Sequence, residues 1–398
     1  MFSPHSVDHG AAPPDVFAPL LFTARADLTG PGPAGFRYDR RMQVRPSERR
    51  ARIEALVRYL CSPECAGRAP DTAGGIAART RIVDEFRAIG AAPGGTDGFL
   101  QPVPGCGANV LAEIPGHGPL AEHTIVVAAH YDHLGSLGGD TFWGADDNAA
   151  AVAILVEVGR ELLARRRSGR RVVLAAYDGE EPPHFLHGTM GSMYHVAHPT
   201  APLAGIDMMV CMDLCGHALG PVGCPSEVRD SVFVLGAELS HGTGELVDAA
   251  AIAGGIYPRR ADLDVIPPLS DYQPFREAGV PVLFLSCGRW EHYHQPTDTP
   301  DRLDYDKIVS TVEYLAGLVQ MLRERPDAPT FDTHARDDLA TIASLRTLAR
   351  HLAPRVPAVS QAAAHLDALA AAARTGPLSQ PQRQQLAWMV AGLEDALS

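Results

Sequence analysis

The sequence predicts an α/β protein: a central mixed, mostly parallel β-sheet with helices on both faces, followed by an all-helical C-terminal extension. Three observations lead there. Between about residues 108 and 325, short apolar runs alternate with stretches whose apolar residues recur at helical spacing, the pattern of a sheet covered on both faces. Several of those apolar runs end directly in His or acidic residues, which puts polar chemistry at the carboxyl ends of strands, where open α/β sheets gather ligands. Beyond Pro326 the composition turns Ala-rich and only helical periodicity remains.

Each element follows from local signals. Residues 1–45 are rich in Pro and Gly without periodicity and read as an extended or mobile arm. A helix is expected from about Pro46, with Ser47 as N-cap and Ile53, Leu56, Val57 and Leu60 as its apolar stripe, ending near Ser62-Pro63. The turn-rich segment AGRAPDTAGG precedes a second helix with Ile82, Val83, Phe86 and Ile89 facing inward and Gly90 at its end. Strands are expected at 108–114, 124–130, 171–177, 206–213, 232–236 and 281–286, with helices at 147–167, 189–197, 244–253, 271–278 and 304–325. The tail supplies helices at about 333–353, 356–374 and 379–397, punctuated by Pro354, Pro357, Pro377 and Pro381, with Leu stripes that read as packing surface. The boundaries drawn are an arm at 1–45, a main domain at 46–328 and a helical extension at 329–398.

Composition excludes several function classes. A net charge of -13 and a pI near 5.7 argue against a nucleic-acid partner, since phosphate binding needs a basic face. The basic run Arg165–Arg167 with Arg170-Arg171 falls where a helix ends and complements its dipole. No stretch approaches the ~18 apolar residues of a membrane span, and the N-terminus lacks a basic n-region and long apolar h-region, so a cytoplasmic location is the default expectation. The seven Cys lack CxxC spacing and read as free thiols, several of them buried.

The chemistry concentrates at strand ends. His130 closes the run Thr124–Ala129, with Asp132 two residues on; Asp146 and Asp147 open the next helix; Glu180 and Glu181 follow Val172–Tyr177; Asp213 follows Met208–Met212; His294 follows Cys287-Gly288. Zinc takes His nitrogen and carboxylate oxygen at ~2 Å and, in a catalytic site, leaves room for water. Taken singly, each residue has an ordinary reading: Asp132 a turn cap, Asp146-Asp147 an N-cap, Glu180-Glu181 a solvated loop pair. His133 and His292 are two among 17 His that carry little weight alone. Five such strand ends along one sheet edge are harder to explain by solvation, and a carboxylate beside a metal-binding His commonly holds its second ring nitrogen.

These residues resemble the co-catalytic zinc aminopeptidase family, which includes bacterial leucyl aminopeptidases and glutamate carboxypeptidase, with glutaminyl cyclases as relatives. The resemblance rests on His130-Tyr-Asp-His-Leu-Gly135, Gly144-Ala-Asp-Asp-Asn148, Glu180-Glu181 with Gly191-Ser192, Met212-Asp213, and Tyr293-His-Gln-Pro-Thr-Asp-Thr299, and covers roughly residues 50–325. It implies a zinc exopeptidase fold and two zinc ions bridged by Asp146, with His130 and Asp213 completing one site and Glu181 and His294 the other. It further implies Glu180 as general base, Asp132 as the residue orienting His130, and a cis peptide before Asp147. Asp271 matches an acid important in the cyclases, so Asp271 and the adjacent Tyr272, which replaces a more usual His, are candidate substrate contacts. Pro182-Pro183-His184-Phe185 replaces a shorter turn beside the site.

The leading expectation is therefore a zinc aminopeptidase acting on small peptides, with acidic groups beside the metals recognising the free amine. A glutaminyl cyclase with one zinc is the alternative. Dipeptidase or carboxypeptidase activity is a third expectation, for which Arg289 is the candidate contact to an acidic C-terminus. A non-enzymatic scaffold requires lost ligands, and none is lost. Oligomeric state is not legible.

Overall fold

The computed structural model describes residues 46–165, 168–251 and 255–398, apart from the side chains of Ala358 and Gln361. The expected arm at 1–45 and most of the basic run at 165–167 lie outside the described residues. The described residues belong to one compact unit.

Two N-terminal helices, α1 (Pro46–Leu60) and α2 (Ala73–Ala88), lead into the sheet. The helix α1 already includes Pro46, so Ser47 falls in its first turn and does not cap it. Gly90, at φ +81°, terminates α2 as expected, its N–H donating to the Arg87 carbonyl. The strands are β1 (Ala92–Pro93), β2 (Leu100–Val103), β3 (Gly107–Ile114), β4 (Thr124–His130), β5 (Ser136–Leu137), β6 (Asp140–Thr141), β7 (Arg171–Tyr177), β8 (Ile206–Met212), β9 (Ser231–Leu235), β10 (Tyr257–Ala261) and β11 (Val282–Ser286). Between and after them lie α3 (Ala150–Arg165), α4 (Gly191–Ala197), α5 (Ser226–Arg229), α6 (Thr243–Ala251), α7 (Tyr272–Glu277) and α8 (Tyr305–Glu324).

The sheet is mixed, in the order β1-β3-β7-β4-β8-β11-β9-β10, with β2 also on β3. Its centre, β7-β4-β8-β11, is wholly parallel, whereas β3 and β9 flank it antiparallel. The sequence expectation missed β1, β2, β10 and the small β5–β6 hairpin. Those strands are short, or, like Tyr-Pro-Arg-Arg-Ala in β10, polar edge strands without an apolar run.

Strand alternation divides the core. Ile125, Val127 and Ala129 of β4 join Val210, Met212, Leu283 and Leu285 in the layer packed by α1, α3 and α8. Val126 and Ala128 join Val173, Ala175, Tyr177, Met209, Cys211 and Phe284 in the opposite layer, beneath α4 and α7. All seven Cys are free and buried.

The tail forms α9 (Asp338–Leu352), α10 (Pro357–Thr375) and α11 (Gln380–Leu397). The helix α9 packs against β10, and Leu345, Leu348, Leu386 and Leu393 are buried in the main core cluster, as their spacing predicts. An ion-pair network fastens the tail: Arg383 of α11 donates to Asp338 (2.6 Å) and to both oxygens of the fully buried Asp262 (3.3 Å each). Hydrogen bonds to charged groups are worth ~1.5–3 kcal/mol. Arg383→Ala is therefore expected to lower stability by about 2 kcal/mol, measured as a fall in the urea midpoint at unchanged m-value.

Candidate active site

Four parallel strands deliver their carboxyl ends to one place. His130 is the last residue of β4, and alternation puts it on the face of Val126 and Ala128. Asp213 follows β8 on the face of Met209 and Cys211, so the two side chains share a side of the sheet. Asp178-Gly179 turns the chain after β7 into Glu180-Glu181. Gly179 is at φ +69°, and a Cβ there would meet the Cys106 sulfur at 2.4 Å, so only glycine fits this turn.

Asp147 stands at the centre. Its Oδ1 is 3.3 Å from His130 Nε2 and its Oδ2 is 3.2 Å from His294 Nε2. His130 Nε2 lies 3.4 Å from Asp213 Oδ1 and 3.8 Å from Glu180 Oε2; His294 Nε2 lies 3.1 Å from Glu181 Oε2. All of these carboxylates are buried.

The resemblance placed Asp146 in the bridging position, and the structure does not bring it there. Asp146 points away, its Oδ2 2.6 Å from His217 Nδ1 and its Oδ1 accepting the Gly216 N–H at 2.6 Å. The cis peptide likewise falls one residue later than expected, between Asp147 and Asn148. Gly144, at φ +57°, permits this loop: a Cβ would collide with the Asp147 carbonyl at 2.2 Å and with the His133 ring at 2.6 Å.

Surrounding groups fix these positions. Asp132 accepts the N–H groups of Glu180 and Glu181, both at 3.1 Å, and lies 3.6 Å from His130 Nδ1, whose nearer partner is the Asp132 carbonyl at 3.3 Å. Its carboxylate thus aligns two strand ends as well as the imidazole. Asp298, inside the quoted Gln-Pro-Thr-Asp-Thr segment, accepts the N–H groups of Asp146 (3.0 and 3.1 Å) and Asp147 (3.1 Å). The wholly buried Arg68, from AGRAPDTAGG, donates to the carbonyls of Tyr131 (2.7 Å), Leu60 (3.2 Å), Trp143 (2.5 Å), Gly144 (2.5 Å) and Asp147 (3.1 Å). His133 Nδ1 is 2.8 Å from Glu181 Oε1, holding the oxygen that does not face His294.

Sequence reasoning missed the roles of Asp147, His133, Asp298, His217 and Arg68. For His133 the signal was its place three residues after His130. For Arg68 and His217 none existed, because burial and partners are long-range properties.

Of the candidate substrate contacts, Asp271 alone faces the site chemically. It is fully buried, neither oxygen has a hydrogen-bond partner, and it caps α7 without using its side chain. Tyr272 turns into the core: its ring packs on Phe284 (4.8 Å), and its hydroxyl donates to the Pro267 carbonyl and accepts the Leu269 N–H, each at 3.2 Å. Arg289 is held by Glu394 of α11, with Nη2–Oε2 at 2.8 Å.

Burial and crowding set the protonation tendencies. Burial, reinforced by Asp213 and Glu181 and opposed by His130, pushes the Glu180 carboxyl well above its ordinary range. Burial pushes Asp271 up to about 7, and burial with Asp146 pushes Asp298 up to about 8. Burial opposes a charged His130, but Glu180 and Asp213 outweigh it and raise that imidazole well above its ordinary value. These shifts share one cause, acids crowded together out of water, which a bound proton or a nearby cation relieves.

The residues fit a divalent metal. The ligand atoms of His130, Asp147 and Asp213, and those of His133, Asp147 and Glu181, lie within 4.8 Å of one another in each group. His130 Nε2, His133 Nε2 and Asp213 Oδ1 are buried without hydrogen-bond partners, and imidazole with carboxylate is a zinc-type donor set.

Comparison with known proteins places the chain. Residues 109–319, more than half of it, match Peptidase family M28, and the chain belongs to that family. It is 30% identical over 236 residues to the uncharacterized protein YfbL of Escherichia coli strain K12, covering 54% of this chain and 70% of that one. It is 28% identical over 226 residues to a glutaminyl-peptide cyclotransferase of Boiga irregularis, covering 48% of this chain and 59% of that protein, less than two thirds of its length. Among solved structures, the Legionella pneumophila LapA aminopeptidase superposes with a TM-score of 0.57 at 16% identity over 71% of this chain and 74% of that one. A glutaminyl cyclase from an Acidobacteriales bacterium superposes with a TM-score of 0.53 at 22% identity over 73% of this chain and all of that one. These likenesses show the shared fold. No helix among the described residues is long and apolar enough to cross a membrane.

The geometry separates the paired aspartates. Asp147→Asn is expected to lower bound metal sharply, whereas Asp146→Asn retains metal at reduced affinity, about tenfold weaker for a residue that acts by holding its neighbours; elemental analysis after dialysis against a weak chelator checks the order. His292 is held by Thr297 at 3.0 Å and packs edge-on against Trp290. His292→Ala should therefore leave turnover near the parent value while His294→Ala removes most of it, read from kcat/KM side by side.

Proposed function

We propose that this protein is a zinc-dependent aminopeptidase that hydrolyses the N-terminal peptide bond of small peptides. The observation that carries the reading is the shared carboxylate: Asp147 presents Oδ1 to the His130–Asp213 side and Oδ2 to the Glu181–His294 side. In this reading His130, Asp213 and Asp147 hold one zinc ion and Glu181, His294 and Asp147 the other. When bound, such a pair supplies an acidified water and a polarised scissile carbonyl.

The chain's own residues do the rest. Glu180, its backbone fixed by Asp132, accepts the proton of the attacking water and returns it to the departing amine. Asp271, buried and unpartnered, receives the substrate's terminal ammonium; the ion pair offsets the cost of keeping that carboxylate out of water. Arg289 is already bound to Glu394, which weighs against its use as a receptor for a substrate carboxylate and hence against the carboxypeptidase alternative.

A second reading, glutaminyl cyclase-like aminoacyl transfer, draws on the cyclotransferase relatives and on Asp271. Zinc per chain after limiting loading distinguishes the two: close to two ions with hydrolysis of amino-acid anilides is the expected outcome, and one ion with cyclisation of N-terminal glutamine replaces it. Glu180→Gln is expected to lower hydrolysis by at least 10³-fold, within the range for loss of a general base, at unchanged zinc content; retained turnover removes Glu180 from this role.

A further inference from the structure

Two loops of the candidate site touch through a pair of rings that the metal chemistry does not use. The loop after β8 supplies His217 and the loop after β11 supplies Trp290, and their rings stack with centroids 4.6 Å apart and planes 8° apart. His217 is buried, and its Nδ1 lies 2.6 Å from Asp146 Oδ2. Asp146 immediately precedes Asp147, the carboxylate at the centre of the cluster. The stack therefore backs the residue that delivers Asp147, and the loop that carries Trp290 goes on to carry His294.

The last turn of α11 ties down both of these loops. Arg289, the residue before Trp290, directs three hydrogen bonds to the Glu394 carboxylate: Nη2 to Oε2 at 2.8 Å, Nε to Oε1 at 3.2 Å and its backbone N–H to Oε1 at 2.8 Å. An ion pair as exposed as this one contributes little as charge attraction. The backbone bond adds direction, because it fixes main chain rather than a flexible side chain. Gly288 leaves room for it: at φ +85°, a Cβ there would lie 3.3 Å from Glu394 Oε1. One turn further along α11, the Leu397 carbonyl accepts the N–H of Gly220, on the loop of His217, at 2.7 Å. Lys307 of α8 also donates to the His217 carbonyl, at 2.8 Å, so the His217 side has a second anchor. The Trp290 side chain has none of that kind, since its Nε1 is buried without a hydrogen-bond partner.

We infer that Glu394 is a positioning residue for the metal-binding cluster. It acts through Arg289 on the Trp290–His217 stack, through that stack on Asp146 and so on Asp147, while His294 follows on the same loop. The family match ends at residue 319 and α11 begins at Gln380, so this brace comes from outside the matched region. The C-terminal extension thereby becomes a working part of the site. The inference rests on the metal-binding part of the proposed function and holds for hydrolysis and cyclisation alike.

Cobalt(II) titrated into the whole chain after metal removal reads the cluster directly, by affinity and by the visible absorption of the bound ion. Glu394→Ala is expected to weaken cobalt binding by about tenfold, the low end for residues that orient ligands from behind, and to shift the absorption band. Glu394→Gln, whose amide oxygen still accepts the Arg289 backbone N–H, is expected to recover most of that affinity. Arg383→Ala is the control: it frees the same helix from Asp262 and Asp338 without touching either loop, so it lowers the urea midpoint and leaves cobalt affinity and spectrum at the parent's. Trp290→Ala breaks the stack itself; combined with Glu394→Ala it is expected to lose no more affinity than Trp290→Ala alone, because both act along one chain of contacts. Parental affinity in a folded Glu394→Ala protein, an equal loss in Arg383→Ala, or additive losses in the double variant overturns the inference. Should Glu394→Ala fail to fold, Arg289→Ala breaks the pair from the loop side, and parental affinity there overturns it in the same way. A parent that binds no cobalt overturns the metal reading and the inference together, whereas a parent that binds it beside unaffected variants overturns the inference alone.

Discussion

Everything in this structure answers to one electrostatic constraint, the crowding of buried carboxylates at the carboxyl ends of the central strands. Asp132, Asp147, Glu180, Glu181, Asp213 and Asp271 are all buried, facing three imidazoles. Like charges out of water are costly unless each oxygen finds a donor or a cation. The fold meets part of that demand with backbone amides: Asp132 takes those of Glu180 and Glu181, and Asp298 takes those of Asp146 and Asp147. The oxygens left over face one another around Asp147, in the arrangement that invites divalent cations.

Arg68 is the complementary device. It is a buried cation that donates to five backbone carbonyls, gathering the segments after β4 and before α3 around one guanidinium. Its planar fork suits several acceptors at fixed angles, which an ammonium would not. Asp146 performs a related duty from within the loop, joining His217 and the Gly216 amide so that the next residue, Asp147, is delivered to the centre. The geometry of the candidate site is thus carried by residues that do not themselves face the cluster around Asp147.

The tail belongs to the same economy of contacts. Its Leu stripes join the main core, Arg383 bridges it to Asp262, and Glu394 engages the loop that bears His294. What reads in sequence as an appended helical segment is, in three dimensions, packed into the main core and tied through Glu394 to Arg289.

The apolar runs from Thr124 to His130, 171–177 and 206–212 and the helical stripes of α1 and α2 were legible because each pattern is local, a period of 2 or 3.6 imposed by a buried face. The same runs, ending in His130, Glu180-Glu181 and Asp213, made the strand-end cluster and its metal chemistry legible as well, and the ordered motifs identified the family. The sequence reading chose the wrong one of two adjacent aspartates, Asp146 instead of Asp147, since the two differ only in the backbone path that Gly144, Arg68 and Asp298 impose together. It equally left open that Tyr272 is a core residue, that Arg289 is spoken for by Glu394, and that His133 holds Glu181. Those outcomes depend on contacts between segments far apart in the chain, and they are decided only when packing fixes the backbone and determines which polar atoms are left facing one another.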